Sequence, residues 1–88
     1  MQVFKDGAPK DAEAQFVRWR DSHPDGLVVN ERRKAHRTDC FHITVPFYVI
    51  DFSWTKRAKY CFENRVELQR WVRDNNIELD SPCRRCGS

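Results

Sequence analysis

The stretch Pro82-Cys83-Arg84-Arg85-Cys86 decides the fold of this chain, together with the earlier pair His36 and Cys40. Thiolate sulfur and neutral imidazole nitrogen are ligands that Zn²⁺ prefers, and a Cys-x-x-Cys turn lets two sulfurs converge on one ion. His36 and Cys40 can complete the tetrahedron. Because four protein ligands leave no open coordination position, the pattern predicts a structural zinc site, not a catalytic one.

The length of the chain favours a fold that needs such a site. At 88 residues it is predicted to form a single domain over residues 1–88, and a domain of this size often needs a metal, disulfides or a partner. Structural zinc binds small peptides with about 10 to 16 kcal/mol, which exceeds the stability of a typical domain. We therefore expect metal binding and folding to be coupled.

Composition excludes an intrinsically disordered chain, because 40% of the residues are hydrophobic and three Trp, six Phe and two Tyr are present. We find no apolar run near the roughly 20 residues of a membrane span and no secretory hydrophobic region, so we expect a cytoplasmic protein without membrane contact. The four cysteines would allow two disulfides in a secreted chain. A reducing cytosol favours the metal site instead.

Two helices are predicted. The first covers residues 11–22, with Asp11 as N-cap and an apolar face formed by Ala12, Phe16 and Trp19. The second begins after Asn64, a good N-cap, and Glu67 stands where a capping box needs it. Its buried stripe is predicted to consist of Leu68, Trp71 and Val72.

Short strands are predicted at residues 27–30, 41–44 and 58–62, from β-branched and aromatic residues bounded by turns. In the last strand Tyr60 and Phe62 alternate with Cys61, and we expect only the aromatic face to be core. The aromatic segment 47–54 is consistent with a strand or with a groove cover. The fold class is α+β, a small zinc-stabilised domain with two helices and a short, mainly antiparallel sheet.

Two further residues compete for the metal. Cys61 lies opposite the aromatic face of its strand, so an all-cysteine site of Cys40, Cys61, Cys83 and Cys86 is an alternative. His42 is a weaker candidate, because a histidine in a predicted strand is more often a surface residue or a satisfied core residue.

This layout resembles the Ada-type zinc-binding domain over residues 32–87. The resemblance lies in His36 and Cys40, the aromatic strand Lys59 to Phe62, the following helix, and Pro82-Cys83-Arg84-Arg85-Cys86. That family has a small α/β fold with four zinc ligands, and it includes a DNA-binding, phosphotriester-repair module and modules attached to nucleases. The resemblance implies Zn²⁺ bound by His36, Cys40, Cys83 and Cys86.

His36 departs from the methyl-accepting members of that family. Their first ligand is a cysteine, the nucleophile that takes the methyl group from a DNA phosphotriester. Imidazole offers no comparable thiolate, so methyl transfer is not expected here. Kinship in fold also does not fix function.

Basic residues concentrate in the middle third of the chain, where the net charge is +4, and eleven of the sixteen basic residues are Arg. Arginine suits phosphate recognition. The candidate nucleic-acid-binding residues are Arg32, Arg33, Lys34, Arg37, Lys56, Arg57, Arg84 and Arg85. The competing explanation is that these charges balance the zinc-bound thiolates. Trp54, beside Lys56 and Arg57, is a candidate for stacking on a base.

The sequence therefore predicts a non-enzymatic zinc module that binds nucleic acid, DNA more than RNA, with a role in DNA repair or restriction. The alternative is a zinc-stapled protein-interaction module that uses residues 47–54 as its contact surface. An enzyme is not expected, because no catalytic triad, acid pair or Gly-rich phosphate loop is apparent.

Overall fold

The computed structural model of the chain describes residues 1–46 and 52–87. Within these ranges the elements in chain order are β1 (Gln2–Phe4), α1 (Ala12–Ser22), β2 (Leu27–Val29), β3 (Ala35–Arg37), α2 (Phe41–Thr44), β4 (Lys59–Phe62) and α3 (Arg65–Asp74). The predicted α+β class is confirmed. Of the helices in the described ranges, none has the length and apolar character needed to span a bilayer.

The sheet has four strands in the order β1-β4-β2-β3, and every neighbouring pair is antiparallel. Strand β4 is interior, and its Cys61 lies opposite Gln2 of β1 on one side and Val28 of β2 on the other. His36 of β3 lies opposite Val28 as well. The edge strand β3 thus carries the first predicted metal ligand.

Both faces of the sheet are buried, which corrects the expectation that only the aromatic face of β4 is core. Cys61 is 1% exposed and packs with Val28 and with Phe16 and Trp19 of α1. On the opposite face Phe62 packs with a second cluster to which α3 contributes Leu68. Successive residues of a strand point to opposite faces of the sheet. Because α1 covers one face and α3 covers the other, alternate residues of β4 pack into two separate cores.

The two predicted long helices are confirmed. In α3 the amide of Glu67 donates to Oδ1 of Asn64 at 2.9 Å, so Asn64 caps the helix through its side chain. Asp11 also occupies the N-cap position of α1, but its side chain makes no capping hydrogen bond. Trp71 and Val72 pack against the Leu68 cluster as predicted.

The prediction of a strand at residues 41–44 is wrong, since these residues form α2. The amides of Ile43 and Thr44 donate to the carbonyl of Cys40 at 2.9 and 3.0 Å, which turns the chain into a helix immediately after Cys40. Residues 47–51, which include most of the segment predicted as a strand or groove cover, lie outside the described residues.

A crowded turn after α1 positions the segment that carries the candidate ligands. The buried hydroxyl of Thr38 donates to the carbonyl of His23 at 2.6 Å, and the Thr38 amide donates to the carbonyl of Gly26 at 3.2 Å. A Cβ on Gly26 would lie 2.9 Å from the Trp19 ring and 3.0 Å from Thr38 Cγ2. Glycine is therefore required for this close approach, which holds the end of β3 against α1.

Candidate metal centre

The connection from β3 to α2 brings three candidate ligands together. The amide of Cys40 donates to the carbonyl of Arg37 at 3.0 Å, and this turn folds Cys40 back towards His36. Helix α2 begins directly afterwards at Phe41, so His42 lies in its first turn. Strand, turn and helix follow one another without a linker, and the three side chains converge.

Cys40 is the centre of this arrangement. Its Sγ lies 3.6 Å from Nδ1 of His36, 3.6 Å from Nδ1 of His42 and 3.7 Å from Sγ of Cys83. Sγ of Cys83 lies 3.4 Å from Nδ1 of His42. All four side chains offer ligand atoms within 4.8 Å of one another.

The 83–86 segment closes the cluster from the other end of the described chain. The amide of Gly87 donates to the carbonyl of Cys83 at 2.8 Å, which forms the expected turn. Sγ of Cys86 accepts a hydrogen bond from the Arg37 amide at 3.4 Å, and the Cys86 side chain packs against the same core as Cys40. Cys86 therefore lies beside the cluster, although it is not one of the four most closely grouped residues.

Burial sets the protonation of the two ligands from the His36-to-Cys40 segment. Burial lowers the pKa of His36 to about 4, with further lowering by His42, Lys34 and Lys59. Burial also raises the pKa of the Cys40 thiol, and its contacts with Cys86 and Cys83 act in the same direction. At neutral pH His36 is thus an uncharged imidazole, the form that binds metal ions.

The cluster can hold a metal ion. Two sulfurs and two imidazole nitrogens form a donor set typical of tetrahedral sites, and His36, Cys40 and Cys83 are each at most 5% exposed. His42 is more accessible than these three residues. With both thiols ionised and a divalent cation bound, the centre would be electrically neutral.

Three residues of the predicted ligand set, His36, Cys40 and Cys83, belong to this cluster. In the cluster, His42 takes the place of the fourth predicted ligand, Cys86. His42 was the weaker candidate in the sequence because residues 41–44 were predicted to form a strand. Cys61 is outside the group. Burial raises the pKa of the Cys61 thiol to about 12, and its Sγ contacts the carbonyl of Lys59 at 3.9 Å, as expected of a core cysteine.

The candidate nucleic-acid-binding residues divide into three groups. One cavity of about 630 Å³ lies beside the cluster and is bordered by His36, His42 and Cys83. Four of the candidate residues line it: Arg32, Lys34, Arg57 and Arg84. Arg37 and Arg85 line a second cavity of about 320 Å³ beside Cys40 and Cys86. Arg33 and Lys56 line neither of these two cavities. Lys59, which the sequence did not single out, lines the larger one.

Trp54 packs against the core, although its position beside Lys56 and Arg57 in the sequence indicated a surface role. Its ring lies 6.4 Å from that of Phe16 and 5.0 Å from that of Phe52, with the Arg20 guanidinium over it at 5.5 Å. These contacts pack the ring against the core, which leaves less of its surface for stacking on a base. The rest of the surface predicted for protein contact, residues 47–51, lies outside the described residues.

Comparisons with protein-family models, with curated proteins and with solved structures found no match to this chain.

Proposed function

We propose that this chain is a zinc-stabilised, non-enzymatic module in which His36, Cys40, His42 and Cys83 bind one Zn²⁺. The observation that carries the proposal is the set of distances around Cys40 and Cys83. Zinc–sulfur bonds of about 2.3 Å and zinc–nitrogen bonds of about 2.0 to 2.1 Å give tetrahedral edges of about 3.8 Å between two sulfurs and about 3.6 Å between sulfur and nitrogen.

Four of the six distances between ligand atoms agree with those edges, and all six are within 4.8 Å. The two sulfurs are 3.7 Å apart, and the three sulfur–nitrogen distances are 3.6, 3.6 and 3.4 Å. A disulfide would require the two sulfurs to be about 2.05 Å apart. The arrangement therefore supports a tetrahedral metal centre over a disulfide.

Zinc stoichiometry tests this proposal. Elemental mass spectrometry should give one zinc per chain for the wild type, with loss of zinc in Cys40→Ala and His42→Ala. Cys61→Ala is the matched control, since Cys61 is buried on the same sheet face but lies outside the cluster. It should keep its zinc.

Two other results would revise the assignment. Zinc retained in His42→Ala but lost in Cys86→Ala would assign the fourth position to Cys86, as the sequence spacing predicts. Absence of zinc from the wild type, with oxidised thiols, would overturn the metal centre altogether.

We further infer that the end of the domain around this centre binds nucleic acid through backbone phosphates. The observation that favours it is the cationic lining of both cavities beside the cluster. The resemblance of the sequence to the Ada-type zinc-binding domain supports DNA over RNA, and it supports a role in DNA repair or restriction.

A salt titration of DNA affinity tests this second proposal. Each phosphate contact on B-DNA contributes about −0.9 to the slope of log K against log salt concentration. Arg32→Ala and Arg37→Ala, one in each cavity, should weaken binding equally across sequences and make the slope shallower, whereas Arg70→Ala, an exposed change on α3, should not. Absence of binding at low salt by zinc-loaded protein would refute the proposal.

A further inference from the structure

The cavity of about 630 Å³ beside the metal centre has a strongly cationic lining. One side is formed by His36, His42 and Cys83. The remaining lining carries five cationic side chains, those of Arg32, Lys34, Arg57, Lys59 and Arg84. A volume of this size is in the range of small-ligand sites, about 300 to 1,000 Å³.

Carboxylates near the cavity balance only part of this charge. Lys34 Nζ lies 3.7 Å from Asp80, and Arg57 Nη1 lies 3.8 Å from Glu31, distances too long for hydrogen bonds. Within the described ranges, Arg32, Lys59 and Arg84 form no ion pair with a carboxylate. Among the described residues, two acidic groups against five cations leave a surplus of three positive charges.

The metal centre does not account for the surplus. With two thiolates and two imidazoles, a bound divalent cation gives a neutral centre, and with Cys86 in place of His42 the centre would carry a single negative charge. Compensation of the sulfurs therefore explains at most one of the three surplus charges. The others are available to an anionic ligand.

Lys59 supports the same conclusion. Its side chain lies in the half-buried part of β4, and desolvation lowers the pKa of its ammonium group despite the neighbouring Glu31. Burial of a cation is unfavourable unless an opposite charge lies near it. An anion in the cavity would remove that penalty.

We propose that this cavity binds a phosphate monoester group. Three guanidinium groups favour phosphate oxygens because their planar forks donate two parallel hydrogen bonds, and the surplus of positive charge favours a dianion over a single carboxylate. The cavity exceeds the size of phosphate, which favours a phosphate group attached to a larger organic molecule. The inference rests on the proposed zinc centre, because that centre forms one side of the cavity.

The phosphate monoester can come from a free nucleotide or from the phosphorylated end of a nucleic acid strand, and one experiment separates the two. Zinc-loaded protein is titrated into a short 3′-labelled single-stranded oligonucleotide that carries a 5′-phosphate. The comparison probe has a 5′-hydroxyl and is lengthened until its formal charge is equal. Adenosine monophosphate and inorganic phosphate serve as competitors.

We expect the phosphorylated probe to bind about tenfold more tightly than the charge-matched probe, since charge-assisted hydrogen bonds to one group contribute at least that factor. Arg32→Ala and Lys59→Gln should each remove most of the preference. Arg70→Ala, exposed on α3, is the matched control and should leave it unchanged. Adenosine monophosphate is also titrated directly by calorimetry, and its binding without oligonucleotide binding would support the cavity and assign it to a free phosphate ester.

Equal affinity for both probes, or a preference that survives in Arg32→Ala and Lys59→Gln, would overturn the inference. Zinc content measured on the same samples separates this failure from failure of the metal centre. Full zinc occupancy without a phosphate preference removes the inference alone, whereas protein that never holds zinc removes the proposed zinc centre whatever the probes show.

Discussion

Cys40 lies close to every other residue of the candidate metal centre, with His36, His42 and Cys83 all 3.6 to 3.7 Å from its sulfur. Burial raises the pKa of its thiol and lowers the pKa of His36 to about 4. In the metal-free protein at neutral pH, Cys40 is therefore a thiol and His36 is a neutral imidazole. A metal ion must displace the thiol proton but no proton from His36.

The number of protons released on zinc binding consequently reports the ligand set. We expect about two protons per zinc near pH 7 if His36, Cys40, His42 and Cys83 bind, because each ligating thiol loses one proton. The measurement is calorimetry in buffers of different ionisation enthalpy. A release of about three protons would indicate that Cys86 has taken the fourth position.

The residues of the site were only partly predictable from sequence. His36, Cys40 and Cys83 followed from ligand chemistry and from the Cys-x-x-Cys spacing. The position of His42 depends on the turn after Cys40, where the carbonyl of Cys40 accepts two amide hydrogen bonds. The composition of residues 41–44, with Ile43 and Thr44 β-branched, gave no sign of that turn.

At the scale of elements, α1 and α3 differ in how their first turns are capped. Asn64 accepts a hydrogen bond from the Glu67 amide, whereas the side chain of Asp11 makes no capping bond. Asn64→Ala should therefore lower the free energy of unfolding by about 1 kcal/mol. Asp11→Ala, at the equivalent position of α1, should cost much less, and chemical denaturation of both variants with saturating zinc measures the difference.

Equal losses in the two variants would contradict this account of capping.

The α3 cap was predictable because Asn64 and Glu67 have the spacing of a helix start. The three-residue strands β1 and β3 were not, because too few residues alternate in them to show a period. Their strand state comes from pairing with β4 and β2.

At the scale of the whole molecule, the proposed ion joins the β3–α2 connection to the 83–86 segment and so stabilises the folded state by mass action. Zinc at a hundredfold its Kd adds about 2.7 kcal/mol, which raises Tm by about 10 to 20 °C for a domain of this size. A chelator should lower Tm by that amount in the wild type and in Cys61→Ala. It should leave the Tm of Cys83→Ser unchanged, and an equal drop in that variant would contradict the ion's role.

The strand order β1-β4-β2-β3 also has a consequence during synthesis. Strand β4 is interior and pairs with both β1 and β2, yet it follows them by a long stretch of chain. While residues 1–58 are being made, at about 5 to 20 residues per second, β2 pairs only with β3 among the described strands, and β1 has no partner among them. A nascent chain of this length presents open strand edges, which are sites for chaperone binding or self-association until β4 arrives.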